Sequence, residues 1–291
     1  MEKRIILRGF GAGAFGGLLA FIFARIMAEP FIQKAIDYES GRDAAQNALR
    51  EAAGLPVAAE GMEVFSRGVQ RNAGIGAGMI LFGLAMGGLF AVAYILVQRR
   101  TQSRLRPRVL ALLVAGGAFL SLYLVPFLKY PANPPAIGHG NTIGQRSELY
   151  LIMVVLSVAC LIGAVVLARR LTARLGGWNA TLLAGGAYIV AMAIVMVILP
   201  PLGHLHANVV RYGQQVTETP LPLRGPNGQI VYPGFPADVL FKFRLYSLIS
   251  QAILWGTIGL TLGPLLERML ATSPRQVPAS DTGHVPTATT A

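Results

Sequence analysis

The sequence predicts an all-α integral membrane protein, a bundle of about six transmembrane helices joined by extracytoplasmic loops. Three observations carry that expectation. Of 291 residues, 54 % are hydrophobic and only 13 % are charged, against about a quarter charged in a soluble domain. Six apolar stretches are each long enough to cross a hydrocarbon layer of about 30 Å, which takes roughly 20 helical residues. Arginine gathers in two short connections between them: Arg99, Arg100, Arg104, Arg106 and Arg108 in one, Arg169, Arg170 and Arg174 in the other. A soluble fold cannot hide so much apolar surface, whereas a bilayer solvates it.

The predicted spans are 5–28, 74–97, 109–128, 149–168, 180–202 and 245–266, within one polytopic membrane domain covering residues 1–270. The first opens with Lys3, Arg4 and Arg8, as a signal peptide would. Its apolar run is too long for a signal core, and Ile26 stands where a cleavage site needs a small residue, so it reads as an uncleaved signal-anchor. Gly11, Gly13 and Gly16 match the spacing of a dinucleotide fingerprint. That motif needs a strand before it and a second strand after it, and here the apolar run continues to Ala28 and meets a proline. Gly9, Gly13 and Gly17 instead fall four apart and bare one helix face, through which helices in lipid approach closely. Gly74/Gly78, Gly83/Gly87 and Gly259/Gly263 repeat the spacing, and helix packing is assigned to Gly9, Gly13, Gly17, Gly83 and Gly87. The sixth span is the most amphipathic, and its Ser247, Ser250, Gln251 and Thr257 must face other helices.

The two arginine-rich connections set the orientation, because short basic loops stay in the cytoplasm. A multi-pass protein of the cell membrane is expected, with its amino and carboxyl termini cytoplasmic. The outer segments are then 29–73, 129–148 and 203–244, which hold ten of the thirteen acidic residues. The formal charge of +12 lies in these connections and not in a basic stripe interleaved with aromatics, so nucleic acid is excluded as a partner and the lipid bilayer takes its place.

Among the outer segments, 30–50 repeats apolar positions at helical spacing, and Pro30 suits the first turn of a helix after Glu29. The runs 129–135 and 232–236 are proline-rich and should be extended and ordered. Residues 271–291 are rich in Thr, Pro and Ser without periodicity and are expected to form a disordered cytoplasmic tail.

Candidate metal ligands are few. His139, His204 and His206 fall in outer segments. His204 and His206 could share one divalent ion if the chain is extended there, but on a helix they would point about 200° apart. Glu29 forms a local pair with Arg25 or else offers its carboxylate to a cation. Asp238 is expected to cap the sixth helix, and Lys129 and Arg146 to anchor at the headgroups. Cys160 stands alone, which excludes a disulfide or a cysteine-based metal site within the chain. No phosphate-binding loop, zinc-protease helix or serine elbow occurs, and no enzymatic activity is expected. Glu148 and Glu267 lie at span ends, so no mid-membrane carboxylate marks a proton-coupled antiporter.

The strings Lys129-Tyr130-Pro131-Ala132-Asn133-Pro134-Pro135-Ala136-Ile137-Gly138 and Thr142-Ile143-Gly144-Gln145-Arg146 are distinctive. So are Gly234-Phe235-Pro236-Ala237-Asp238, Phe243-Arg244, and Glu29-Pro30 followed by Tyr38-Glu39. In these the chain resembles the CbtA family of probable cobalt transporter subunits, from its first span through its sixth. The resemblance implies a membrane subunit linked to cobalt and cobalamin supply, commonly paired with a small single-span, histidine-bearing partner (CbtB). His204 would correspond to a histidine present in some members. A homo-oligomer is equally compatible with it.

Two functions follow as expectations. In the first, the chain is the membrane subunit of an uptake system for cobalt or a similar divalent transition metal, with no permanently bound cofactor. His204, His206 and Glu29 would meet the ion, with His139 behind them; imidazole and carboxylate together suit cobalt(II). In the second, it is a non-transporting membrane scaffold or accessory subunit of a larger membrane complex.

Overall fold

A computed structural model describes residues 2–57, 65–101 and 105–271; the expected tail beyond 271 lies outside the described residues. The chain is helical almost throughout. Helix α1 (Glu2–Met27) breaks at Ala28 and α2 (Glu29–Ala52) follows, with Pro30 in its first turn. A short turn, α3 (Arg67–Val69), and a π-helical segment, Gln70–Gly74, lead into α4 (Ile75–Thr101). The next span is built from α5 (Pro107–Ala118), a π-helical segment Phe119–Leu124, and α6 (Val125–Lys129).

Helix α7 (Ile143–Ile198) is recorded as one element of 56 residues, which if straight would be about 84 Å long. It is not straight. Gly176 has φ 74° and ψ 163°, a backbone conformation that only glycine adopts without strain. Ser157 and Tyr188, 31 positions apart, exchange a hydroxyl–hydroxyl bond of 2.8 Å, although a continuous helix would hold them about 46 Å apart. Residues 143–175 and 177–198 are therefore two antiparallel arms. With α1, α4, α5–α6 and α9 (Ala237–Ala271), they account, among the described residues, for six crossings by five helices that are long and apolar enough to cross a membrane.

Four of these helices form the core. Helices α1 and α4 run antiparallel along a seam of backbone. A Cβ on Gly13 would fall against the carbonyl of Gly83 and the Cα of Gly87; Gly9 meets Gly87, and Gly17 meets Met79 and Ile80. Gly74 and Gly78 carry the same spacing but touch no neighbouring helix, because spacing alone does not say which face is covered. Helix α9, read from the sequence as the most amphipathic span, lies at the centre. Leu254, Ile258, Leu262 and Leu266 are all at most 2 % exposed. It packs on α1 through Gly16, and Ser250 donates to the carbonyl of Ala20. It packs on α5 through Gly259 against Ala115. The α7 arms pack on the third span around Val125, Tyr130, Met153, Tyr188 and Met192. Their outer faces are bare, with Val197 85 % and Ile198 74 % exposed, as a lipid-facing surface requires.

The span ends differ from the expected boundaries in one important case. Helix α9 begins at Ala237, eight residues before the expected 245, so Asp238 sits inside its first turn and not at its cap. There it still faces the positive end of the helix dipole. The third loop segment is also richer than expected. It contains a 3₁₀ turn at Leu202–His204, helix α8 (His206–Tyr212), and a small antiparallel hairpin of β1 (Leu223–Arg224) and β2 (Ile230–Tyr232).

Candidate functional site

The three segments that connect helices at the α2 end of the bundle fold into one cap. Its apolar seam joins Ala35 and Tyr38 from α2, Ile137 from the second segment, and Phe235 and Val239 from the third. Tyr38 packs edge-on to Phe235, with ring centroids 5.0 Å apart, and its hydroxyl donates to the carbonyl of Pro233 at 2.9 Å. Arg42, one turn on, donates to the carbonyl of Leu221 at 2.7 Å. Burial pushes the Tyr38 phenol above its ordinary pKa, against the pull of Arg42. The Glu39 carboxyl is likewise pushed up, by burial first and then by the neighbouring Asp43. Arg244 of α9 reaches the second segment, donating to the carbonyl of Ala132 and at 2.8 Å to Asn133. Tyr130 is buried and donates to the carbonyl of Pro200 at 2.9 Å.

The polar heart of the cap is Glu218, whose side chain has no exposed surface. Its Oε1 accepts from the Thr142 hydroxyl at 2.6 Å and from the Asn208 amide at 2.7 Å. Its Oε2 takes the Arg146 guanidinium at 3.2 Å and the backbone N–H of His139 at 3.4 Å. A buried carboxylate is tolerable only when it is paired and its lone pairs are filled in this way. Gly138, at φ 135°, lies beside the pair; a Cβ there would come within 2.6 Å of Arg146. The His139 ring stacks on Tyr212 at 3.9 Å and 11°, and its Nδ1 is 2.7 Å from the Asn208 side-chain oxygen.

Against this geometry the expected site residues separate. Arg146, expected at the headgroups, pairs with the buried Glu218. Glu29 does not pair with Arg25. Arg67 reaches it at 2.7 Å from the start of the next span, while Arg25 donates to Asn72 at 2.8 Å. The reason is the break at Ala28, which takes Glu29 off the helix that carries Arg25. Glu29 is 5 % exposed, and its Oε2 has no hydrogen-bond partner among the described residues. His204 ends a 3₁₀ turn and His206 begins α8, both exposed, with extended Leu205 between them. His139 belongs to the Glu218 cluster. The four expected ligands thus lie in three places, and no group of three or more His, Cys, Asp or Glu among the described residues is arranged to hold a metal.

Of the distinctive strings, Tyr38, Tyr130, Asn133, Arg146, Phe235 and Arg244 make the contacts that close the cap. Lys129 lies over the Tyr130 ring, and Pro134 is buried with it. Pro30 starts α2 beside Glu29, while Pro236 and Asp238 are exposed where α9 starts. Pro131, between Tyr130 and the Arg244 contact, is half-buried. Sequence reading missed Glu218, Asn208, Thr142 and Arg67. The one available signal was an isolated acid, Glu218, set between Thr217 and Thr219.

The opposite end of the bundle gathers the basic connections. Glu2 pairs with Arg99 there, and Glu267 with Arg108.

Fold and cap together define a multi-pass helical membrane protein with a folded loop layer at one end. The chain matches the family model for the probable cobalt transporter subunit CbtA over residues 2–267, and it belongs to that family. No curated protein and no solved structure matches it.

Proposed function

We propose that this chain is the membrane subunit of an uptake system for cobalt or a chemically similar divalent transition metal. The observation that supports this most is the family match across the whole bundle, together with the way the family's strings meet in one cap. The cap lies on the extracytoplasmic side, with both termini in the cytoplasm of a cell-membrane protein, a reading that the basic connections support. His204 and His206, exposed on the cap, and Glu29, at its base, meet the ion, with His139 behind them. Ligation is transient, and the energy comes from outside this chain or from the membrane potential, which draws each positive charge inward with about 2.3 kcal/mol per 100 mV. A small single-span, histidine-bearing subunit supplies additional ligands, and a homo-oligomer is the other assembly compatible with the fold.

A scaffold role is the second reading, and one observation favours it. Among the described residues, the buried polar groups inside the spans are the hydroxyls of Ser121, Ser157, Ser250, Tyr94 and Tyr188, whereas conduction paths usually carry charged groups.

Cobalt accumulation at limiting external concentration separates the two. Cells expressing the chain, cells without it, and cells carrying His204→Ala with His206→Ala are compared at matched membrane levels, with and without a co-expressed small partner. Accumulation that rises with the native chain and falls in the double variant supports uptake through the cap. No rise in either setting leaves the scaffold.

A further inference from the structure

The geometry points to His139 as a preset imidazole ligand for a divalent transition metal, offered through its Nε2 and held in that state by Asn208 and Glu218. Asn208 is 2 % exposed, and one atom of its amide group faces two acceptors, the carbonyl of Leu202 at 2.8 Å and Glu218 Oε1 at 2.7 Å. Only the amide nitrogen can donate to both, so the amide oxygen is the atom turned toward His139. That oxygen accepts and cannot donate, so His139 Nδ1, 2.7 Å away, must carry the proton. In the neutral ring the lone pair is then on Nε2.

The ring has no freedom to undo this. Tyr212, one turn beyond Asn208 on the same face of α8, stacks on it at 3.9 Å. Among the described residues Nε2 makes no hydrogen bond, and the ring is only half-buried. Histidines that bind metals are oriented in this way, with the far ring N–H donated to a fixed oxygen. Neutral imidazole selects cobalt, nickel, copper and zinc over magnesium and calcium. The other charges beside it are Arg146, which is tied to Glu218, and Arg211, which lies over the Tyr212 ring. One imidazole facing those cations gives weak, rapidly exchanging capture, which suits a passing ion and not a stored one. Asn208 and Glu218 are positioning residues here. The inference depends on the uptake reading for its biological role, though not for the chemistry of the ring.

The test uses the purified full chain in lipid nanodiscs with ¹⁵N-labelled histidine and Co²⁺ alone as the probe. In the native protein, the His139 ¹⁵N shifts should show a proton on Nδ1 and a free Nε2. Co²⁺ should broaden these signals, and the broadening should persist in His204→Ala with His206→Ala. Asn208→Ala removes the oxygen that holds the Nδ1 proton, so the ring should show both tautomers and need about 10-fold more Co²⁺ for the same broadening. A native ring protonated on Nε2, or one indifferent to Co²⁺, overturns the inference without recourse to any variant. So does Asn208→Ala with native tautomer and native Co²⁺ response. Cells that gain no cobalt through the chain, while His139 still answers Co²⁺, would remove the uptake reading alone. Uptake that survives His139→Ala, with no Co²⁺ effect at the ring, would remove this inference alone.

Discussion

The Tyr38 hydroxyl on α2 donates to the carbonyl of Pro233, 195 residues further along the chain. This bond fastens the first loop segment to the third. Tyr38→Phe keeps the ring against Phe235 and deletes this bond and the 3.4 Å one that Arg42 donates to the same oxygen, at a cost of about 0.5–1.5 kcal/mol each. A pH effect accompanies it. Burial raises the folded-state pKa of Tyr38 above its ordinary value near 10. The unfolded chain therefore loses this proton first, and the stability Tyr38 contributes is full below pH 10 and falls as pH rises further. Thermal unfolding between pH 9 and 11 should show a shallower alkaline decline in Tyr38→Phe than in the native protein.

The α1–α4 seam predicts a sharp contrast between two glycines of one helix. A methyl group at Gly13 meets backbone of Gly83 and Gly87, whereas one at Gly11 meets nothing within 4 Å. Backbone cannot step aside as a side chain can. Gly13→Ala should cost about 1–3 kcal/mol through overpacking, and Gly11→Ala should be neutral or slightly stabilising. Unfolding in mixed micelles, read by tryptophan fluorescence, compares the two; equal effects would mean that the seam is not closely packed.

Glu218 and Arg146 form the most buried ion pair of the cap, with side chains 0 % and 25 % exposed. Glu218→Ala leaves Arg146, Thr142 and Asn208 without their shared acceptor, and a loss of about 3–5 kcal/mol is expected. Arg146→Ala should cost less, since Thr142, Asn208 and the His139 N–H still hold the carboxylate. A double-mutant cycle on these two positions should show coupling, with the double variant closer to the Glu218 single variant than additivity allows.

At the base of the cap, Arg67→Ala strips the partner from the Glu29 carboxylate, which is already short of one hydrogen bond. The expected loss is again about 3–5 kcal/mol. Adding Glu29→Gln removes the stranded charge and should recover much of that loss. Melting temperatures of the native protein, both single variants and the double variant decide it: no recovery would mean that Arg67 acts through something other than Glu29.

The spans were legible because hydrophobic length is a local property. So was the start of α2, since Pro30 and the spacing of Phe31, Ala35 and Tyr38 act within a few turns. The break at Gly176 lay in the short gap between the expected fourth and fifth spans. What the sequence concealed was pairing at a distance. The partners of Glu218 are 79 positions away at His139 and 76 at Thr142, and nothing in their spacing announces them. The pair Arg25–Glu29 was the natural reading of a four-residue spacing, and it failed because the helix ends between them. Helix α9 looked weakest for a related reason. Its serines and threonines lower its hydropathy, yet the structure turns Ser250 to the α1 backbone and gives the helix the central place.

That central place has a consequence for how the protein is made. The first span reaches the membrane early, but its neighbour α9 starts only at Ala237. Roughly 200 residues separate them, or about 10–40 s of synthesis at 5–20 residues per second. Through that interval α1 has its glycine seam with α4 but no α9, and α5 waits for the same helix. The core closes only when the last span arrives, so a nascent chain stopped before Ala237 holds five crossings and an open side, the form that a cell's quality control is equipped to remove.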